Sequence, residues 1–186
     1  MRTPSDLCLS RTILRTEEMI ALGEVVDCAP QGDVVICGTM SGGDAIFMSE
    51  GNNRHIVVID SFEGLSLSVE QDSGTLSQNS FASASDTMDI LKRNIGGRLE
   101  LYKMWITPQN LLQRVHHRPT AVLWMDLDLY EPTQACLDYF VPDLVPGGVA
   151  LCHDYTNPHT PGVIKALKST HLKWEGLSFG ITRAKV

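Results

Sequence analysis

The sequence predicts a doubly wound α/β fold, with a mostly parallel sheet that is closed by a C-terminal antiparallel hairpin. Short apolar runs alternate with segments of helical periodicity along the chain, and this alternation is typical of βαβ units. The apolar runs are continuous, as expected of parallel strands that helices cover on both faces. Functional residues are expected beyond the carboxyl ends of the strands, because ligands bind such sheets there.

Length and composition restrict the classes of protein to consider. The 186 residues, of which 43% are hydrophobic and 20% charged, are expected to form a single domain over residues 1–186. The net charge of −7 argues against a nucleic-acid partner, because such binding relies on dense Lys and Arg. No apolar run is long enough for a bilayer or a secretory signal, so no membrane partner is expected. Five cysteines, an odd number without a C-x-x-C motif, indicate reduced thiols in a cytoplasmic protein.

The first half of the fold begins with an N-terminal helical region, residues 1–30, whose apolar residues recur at helical spacing over 13–27. A breaker then leads into an apolar strand at 33–37. A glycine-rich turn and a helix over 44–50 follow. The second buried strand covers residues 55–60.

A long segment, residues 61–85, comes next; it is rich in Ser and Gly and has no clear period. Loops of this length are uncommon in compact domains and more often cover a binding site, so a lid is expected. The pattern then predicts a helix at 86–95, a strand at 98–103, a helix at 108–115 and a strand at 121–125.

The last elements start at Pro132, which suits the first turn of a helix because its missing N–H costs nothing there. That helix extends to about Phe140. A Pro-Gly-Gly turn precedes a fifth strand at 149–152, and a helix follows at 161–168. Residues 171–184 are expected to form two strands joined near Gly176.

Two strand ends suggest a nucleoside-containing cofactor. The turn after the first strand, C-G-T-M-S-G-G, contains Gly38, Ser41 and Gly42. Its glycines let the backbone approach a ligand, and the following helix offers N–H donors. Asp60, which is followed by Ser61, ends the second strand. A carboxylate at this position commonly accepts hydrogen bonds from ribose hydroxyls. A plain tight turn and a turn aspartate are the alternatives.

Acidic residues at two further strand ends suggest a metal site. Asp126 and Asp128 follow the fourth strand. They are two residues apart, so their side chains would point to the same side of an extended chain. Neighbouring carboxylates repel, and a divalent cation relieves this repulsion. His153 and Asp154 follow the fifth strand and add two potential ligands. Carboxylates favour Mg²⁺, whereas an imidazole favours Mn²⁺, Fe²⁺ or Zn²⁺. A solvated pair that caps the next helix is the alternative.

Four segments together resemble the macrocin O-methyltransferase family, over about residues 23–168. They are G-D-V-V with the glycine turn, V-I-D-S-F-E-G-L at 58–65, M-D-L-D-L-Y-E-P-T at 125–133, and L-V-P-G-G at 144–148 leading to H-D-Y at 153–155. The resemblance implies a class I, Rossmann-like methyltransferase fold. It also implies S-adenosylmethionine as cofactor, a divalent metal, Mg²⁺ or Mn²⁺, and a sugar hydroxyl of a small natural product as acceptor.

Carried over residue by residue, the resemblance implies a role for each strand end. Asp126, His153 and Asp154 would hold the metal, and Asp128 would be the general base. The glycine turn and Asp60 would hold the cofactor. The family has Glu where this chain has Ile36, and an Asp-Asp pair where it has His153-Asp154.

Three functions follow as expectations. The first is metal-dependent O-methyl transfer to a sugar, with an acceptor pocket that is open or completed by another subunit of a homo-oligomer. The second is a cofactor- or metal-binding module that has lost catalysis, motivated by Ile36 and His153. The third keeps the fold and metal but uses a catechol-type acceptor.

Overall fold

The computed structural model describes residues 2–73 and 76–186, and their main feature is a seven-stranded sheet. The strands are β1 Asp33–Cys37, β2 Ile56–Asp60, β3 Leu99–Lys103, β4 Thr120–Met125, β5 Leu144–Cys152, β6 Glu175–Ser178 and β7 Ile181–Lys185. The helices are α1 Asp6–Leu9, α2 Thr16–Cys28, α3 Gly43–Ser49, α4 Thr87–Ile95, α5 Pro108–Arg114, α6 Tyr130–Phe140 and α7 Pro161–Ser169.

The order of strands in the sheet is β3-β2-β1-β4-β5-β7-β6. The first five pair in parallel, whereas β7 runs antiparallel to both β5 and β6. The predicted fold class, a doubly wound sheet with a terminal antiparallel hairpin, is therefore confirmed. Strand order reverses between β1 and β4, and a crevice at such a point is where open α/β sheets bind ligands.

Helices cover both faces of the sheet, so the side chains on both sides of each central strand are buried. In β1, Val34 and Ile36 belong to the apolar core under α1–α4, whereas Val35 and Cys37 belong to the core under α5–α7. All four side chains are fully buried. This double burial explains why the strands are continuous apolar runs in the sequence.

The structure corrects two turns. The terminal hairpin turns at Phe179 and Gly180 rather than near Gly176, which lies within β6 opposite Thr182. The Gly180 N–H donates to the Glu18 carboxylate at 3.2 Å, and this contact helps to fix the turn. The predicted Pro-Gly-Gly turn, residues 146–148, instead belongs to β5, because it pairs with the chain end through Gly147 N–H to Val186 O at 2.8 Å.

The N-terminal region predicted to be helical over residues 1–30 consists of two helices, α1 and α2, with residues 10–15 between them. The short helical turn at Glu70–Asp72 was not predicted, because so few residues carry no period. Among the residues that the structure describes, no helix has the length and apolar character needed to cross a membrane.

Candidate functional site

A cavity of about 330 Å³ opens at the carboxyl edge of the sheet, where β1, β2, β4 and β5 end. This volume is in the range of small-molecule sites. Most of the residues predicted for the site line it: Gly38, Asp60, Ser61, Asp126, Asp128, His153 and Asp154. Trp105 lines it too. Ser41 and Gly42, also predicted to hold the cofactor, lie outside the lining.

The glycine turn brings the ends of β1 and β4 into close backbone contact. Gly38 has a φ of 81°, and a Cβ at this position would lie 2.0 Å from the carbonyl oxygen of Asp126. The amide of Asp126 in turn donates to Cys37 O at 2.9 Å. A residue larger than glycine would push these strand ends apart. Gly38 therefore joins the predicted cofactor turn directly to the predicted metal ligand.

Asp60 holds the same turn from the neighbouring strand. Its Oδ2 accepts the amides of Thr39 at 2.8 Å and Met40 at 3.1 Å, and its Oδ1 accepts the amide of Phe62 at 2.6 Å. Burial raises the pKa of Asp60, and these amides act in the opposite direction. Since a carboxylate has about four acceptor positions, one position on Oδ1 is left for a ligand hydroxyl.

Ser41 and Gly42 instead support the turn from the side. The carbonyl of Ser41 accepts the Arg11 Nε–H at 3.0 Å. Gly42 caps α3 with a φ of 89°, and a Cβ there would meet the Leu91 side chain at 3.0 Å. Their contribution to cofactor binding stays a prediction.

Asp44, in the first turn of α3, is a cavity residue that the sequence did not reveal. Its side chain is 3% exposed. Its carboxylate accepts the Thr39 hydroxyl, the Ala45 amide at 2.8 Å and the Trp124 Nε1–H at 2.8 Å. Burial raises the pKa of Asp44 to about 7, and the charge of Asp126 adds to this effect. The only signal in the sequence was one acidic residue within the apolar run G-D-A-I-F-M-S.

The predicted metal ligands lie together. One donor atom from each of Asp126, His153 and Asp154 lies within 4.8 Å of the other two. The His153 Nδ1 is 3.4 Å from Asp126 Oδ1 and 3.2 Å from Asp154 Oδ1. Two carboxylates and an imidazole suit a divalent transition metal, so of the two implied ions these residues fit Mn²⁺ better than Mg²⁺.

The charges of this cluster shift its pKa values strongly. Burial alone would lower the pKa of His153, but the charge of Asp126 and hydrogen bonds to Asp126 and Asp154 raise it to about 11. An imidazolium therefore balances the carboxylates when no cation is bound. Ligation of a metal requires loss of that proton.

Asp128 has a different environment from that of Asp126. Burial, followed by the charge of Asp126, raises the pKa of Asp128 to about 9. Burial opposes ionisation of Asp154 as well, but its hydrogen bonds to His153 and Asp128 lower its pKa to about 2. Both residues have left-handed backbones, with φ of 60° at Asp128 and 65° at Asp154. Such conformations are unfavourable for residues other than glycine and are concentrated at functional sites.

The predicted lid, residues 61–85, forms one wall of the cavity, although its residues 74 and 75 lie outside the described part of the chain. The Ser83 hydroxyl donates to Met40 O in the glycine turn. Asp72 is buried, and its carboxylate accepts the amides of Tyr130 at 2.7 Å and Val69 at 2.9 Å. The segment is thus anchored both to the glycine turn and to the start of α6.

Apolar side chains surround the mouth of the cavity. Ile13, Phe81 and Trp105 all line it and remain 66%, 42% and 39% exposed. The Trp105 Nε1–H donates to Gly64 O at 3.3 Å, which holds the indole against the loop. These residues lie far apart in the sequence and share no motif, so no sequence pattern assigns the three of them to one cavity.

Comparison with protein families matches most of the chain. Residues 15–173 match the family model described as Macrocin-O-methyltransferase (TylF). Comparison with curated protein sequences gives no match.

Several solved structures share the fold. The calicheamicin methyltransferase CalS11 superposes with a TM-score of 0.78 at 21% identity, covering 97% of this chain and 82% of CalS11. The O-methyltransferase NovP gives a TM-score of 0.75 at 18% identity, covering 94% of this chain and 81% of NovP. TomG from Streptomyces achromogenes, an O-methyltransferase of tomaymycin synthesis solved with S-adenosylmethionine, gives 0.61 at 14% identity, covering 100% and 92%.

Proposed function

The chain belongs to the macrocin O-methyltransferase (TylF) family, and from this premise we propose that it methylates a sugar hydroxyl of a small molecule with the help of a divalent metal ion. As a family member it is an S-adenosylmethionine-dependent O-methyltransferase. The metal, the acceptor and the residue roles are the proposed part. One observation carries the proposal: the cluster of Asp126, His153 and Asp154 adjoins the glycine turn through the contact of Gly38 with Asp126.

The cofactor is proposed to occupy the side of the cavity formed by β1 and β2. At Gly38 the absence of a side chain lets the cofactor lie close to the protein backbone. The remaining acceptor position of Asp60 suits a ribose hydroxyl. Ser61 lies beside it in the lining. Ile36, where the family has Glu, is fully buried in the core under α1–α4. Asp44 nevertheless supplies a carboxylate to this cavity, and the cofactor carries positive charge.

The transfer itself is an attack of the acceptor oxygen on the methyl carbon of the sulfonium. The carbon–sulfur bond breaks, sulfur keeps the electron pair, and S-adenosylhomocysteine leaves. A divalent ion held by Asp126, His153 and Asp154 would orient the acceptor hydroxyl and lower its pKa. Asp128 takes the proton. Its pKa of about 9 results first from burial and then from the charge of Asp126. A cation that shared the charge of Asp126 would lower this pKa and favour the carboxylate form that a base requires.

A sugar acceptor is supported from two directions. CalS11 is described as a TDP-rhamnose 3'-O-methyltransferase of calicheamicin biosynthesis. In this chain, the aromatic faces of Phe81 and Trp105 at the cavity mouth provide apolar surface for a sugar ring or its aglycone. A cytoplasmic location is also proposed, and the free state of all five cysteines is consistent with it.

The test is methyl transfer to a panel of glycosides, nucleotide sugars and catechols. We expect activity with at least one sugar, its loss in EDTA and its recovery with Mg²⁺ or Mn²⁺. Asp126→Asn should abolish metal binding and activity together, whereas Asp138→Asn, an exposed control on α6, should change neither. Transfer that survives both chelation and Asp126→Asn would exclude the metal. Activity confined to catechols would exclude the sugar.

A further inference from the structure

A buried glutamate on α2 contacts His153, one of the three proposed metal ligands, on the side of the ring away from Asp126 and Asp154. Glu18 lies in the first turn of α2 and is 4% exposed. Its Oε1 is 3.4 Å from the Nε2 of His153. The neighbouring Glu17 is exposed and points its charge to solvent. Acidic residues in the first turn of a helix ordinarily stabilise its N-terminus from exposed positions. Glu18 differs from them because it is buried.

The Glu18 carboxylate cannot adjust its position freely. Its Oε2 accepts the amide of Arg15 at 2.8 Å, which closes the N-terminus of α2. Its Oε1 accepts the amide of Gly180 at 3.2 Å, in the turn between β6 and β7. Two backbone donors from opposite ends of the chain thus fix the carboxylate in front of the His153 ring.

The two nitrogens of His153 face different partners. Nδ1 faces Asp126 and Asp154, whereas Nε2 faces Glu18. A metal-bound imidazole uses the lone pair of one nitrogen and commonly donates the N–H of the other to a carboxylate. With Glu18 as the acceptor of Nε2–H, the lone pair of Nδ1 is directed between the two aspartates.

The ring is also confined on its other sides. A Cβ at Gly180 would lie 3.1 Å from His153 Nε2 and 3.3 Å from Glu18 Oε1, so the bare glycine permits the close packing of this turn. Trp124 contacts the ring edge to face, with centroids 6.2 Å apart. His153 is thus held in one orientation even before a ligand binds.

We propose that Glu18 is a positioning residue that holds His153 as the Nε2–H tautomer and thereby makes its Nδ1 a ligand of the divalent ion. The inference rests on the proposed function, because it requires the ion at Asp126 and Asp154. A carboxylate at position 153 would face Glu18 and be repelled by it, so the imidazole suits this position better than an aspartate as long as Glu18 is present.

The test is a double-mutant cycle in which Glu18 and His153 are changed singly and together. The Mn²⁺ affinity of each protein is measured from the electron paramagnetic resonance signal of free Mn²⁺. Glu18→Gln keeps the size of the side chain and removes its charge, and we expect it to weaken Mn²⁺ binding about 10–100-fold. In a His153→Asp background the same change should not weaken binding, because a repulsive contact is relieved. Glu17→Gln, in the same helical turn, is the matched control and should have no effect.

A measurement on the unmutated protein keeps the inference testable if Glu18→Gln fails to fold. Long-range ¹H–¹⁵N spectra of the Zn²⁺-loaded protein should show His153 with its proton on Nε2. A proton on Nδ1 would overturn the inference, as would equal weakening by Glu18→Gln in both backgrounds. Mn²⁺ binding that Glu18→Gln leaves unchanged removes the role of Glu18 alone. Absence of Mn²⁺ binding to the wild type removes the metal of the proposed function as well.

Discussion

The stability of the fold should depend on pH through Asp44, and Asp44→Asn should remove that dependence. Burial raises the pKa of this carboxyl from 3.8 to about 7. Below pH 4 it is protonated in both the folded and the unfolded chain. Between about pH 4 and pH 7 the unfolded chain loses this proton while the folded protein retains it, so the free energy of unfolding falls as pH rises. Above pH 7 the loss is constant.

The magnitude follows from the two pKa values. A gap of about three units corresponds to about 4 kcal/mol in total, at about 1.4 kcal/mol per unit. Between pH 5 and pH 8 the part that still changes is about 3 kcal/mol. Because the other titrating groups are common to both proteins, they cancel in the difference between wild type and Asp44→Asn. The variant should therefore gain about 3 kcal/mol relative to wild type over this interval.

Urea unfolding followed by circular dichroism, at several pH values from 5 to 8, measures the effect. With a urea dependence of about 1–3 kcal/mol per M, the two midpoints should separate by about 1–3 M across this range. The offset at pH 5 depends on the hydrogen bonds to Thr39 and Trp124 and is not the readout. Asp138→Asn, which removes an exposed carboxylate of α6, serves as the control. If the difference curve for Asp44→Asn is as flat as that control, Asp44 is ionised in the fold and the reasoning fails.

Three further outcomes are expected. Asp60→Ala removes the acceptor of the Thr39, Met40 and Phe62 amides and the proposed acceptor of a ribose hydroxyl, so calorimetry should show S-adenosylhomocysteine binding weakened by about 1–3 kcal/mol. Unchanged affinity would place the nucleoside elsewhere. Asp128→Asn should retain Mn²⁺ affinity while single-turnover methyl transfer slows by about 10²–10⁴-fold, as for the loss of a general base; an unaltered rate would assign the proton to another group. Asp72→Ala removes the hydrogen bond that holds the loop to Tyr130, so thermolysin should cleave faster within residues 61–85. In the wild type, S-adenosylmethionine should slow this cleavage; a cleavage rate that does not depend on the cofactor would argue against a lid.

Double burial made most of the sheet predictable. Val34, Val58 and Leu123 belong to apolar runs that are buried almost throughout, so β1, β2 and β4 start and end within one residue of the predicted positions. The strand β3 is only half-buried, and it was predicted from its place in the alternation of strands and helices. The location of the cavity was predictable for a geometric reason, since parallel strands present their carboxyl ends at one edge. Asp60, Asp126 and His153 lie at three such ends and line one cavity.

Residues whose partners lie on distant segments were not predictable. Glu18 and Asp44 both occupy first helical turns, where an acidic residue is ordinary. Only the packing of α2 against the terminal hairpin, and of α3 against β4, turns these side chains toward the site. Asp72 gave no signal either, because its partner Tyr130 is 58 residues away. Gly176 was misleading because glycine marks many turns, whereas the contact of Gly180 with Glu18 accompanies the actual one.

The contact between Gly38 and Asp126 bears on how such an enzyme diversifies. Main-chain atoms at the ends of two adjacent strands join the proposed cofactor turn to the proposed metal ligands, so substitutions elsewhere hardly alter the separation between these two parts of the site. The cavity mouth is assembled from Ile13, Phe81 and Trp105, which belong to connecting segments outside the sheet. Loops tolerate sequence change better than the strands that they connect. Selection for a new acceptor can therefore act on the mouth while the transfer machinery is inherited intact.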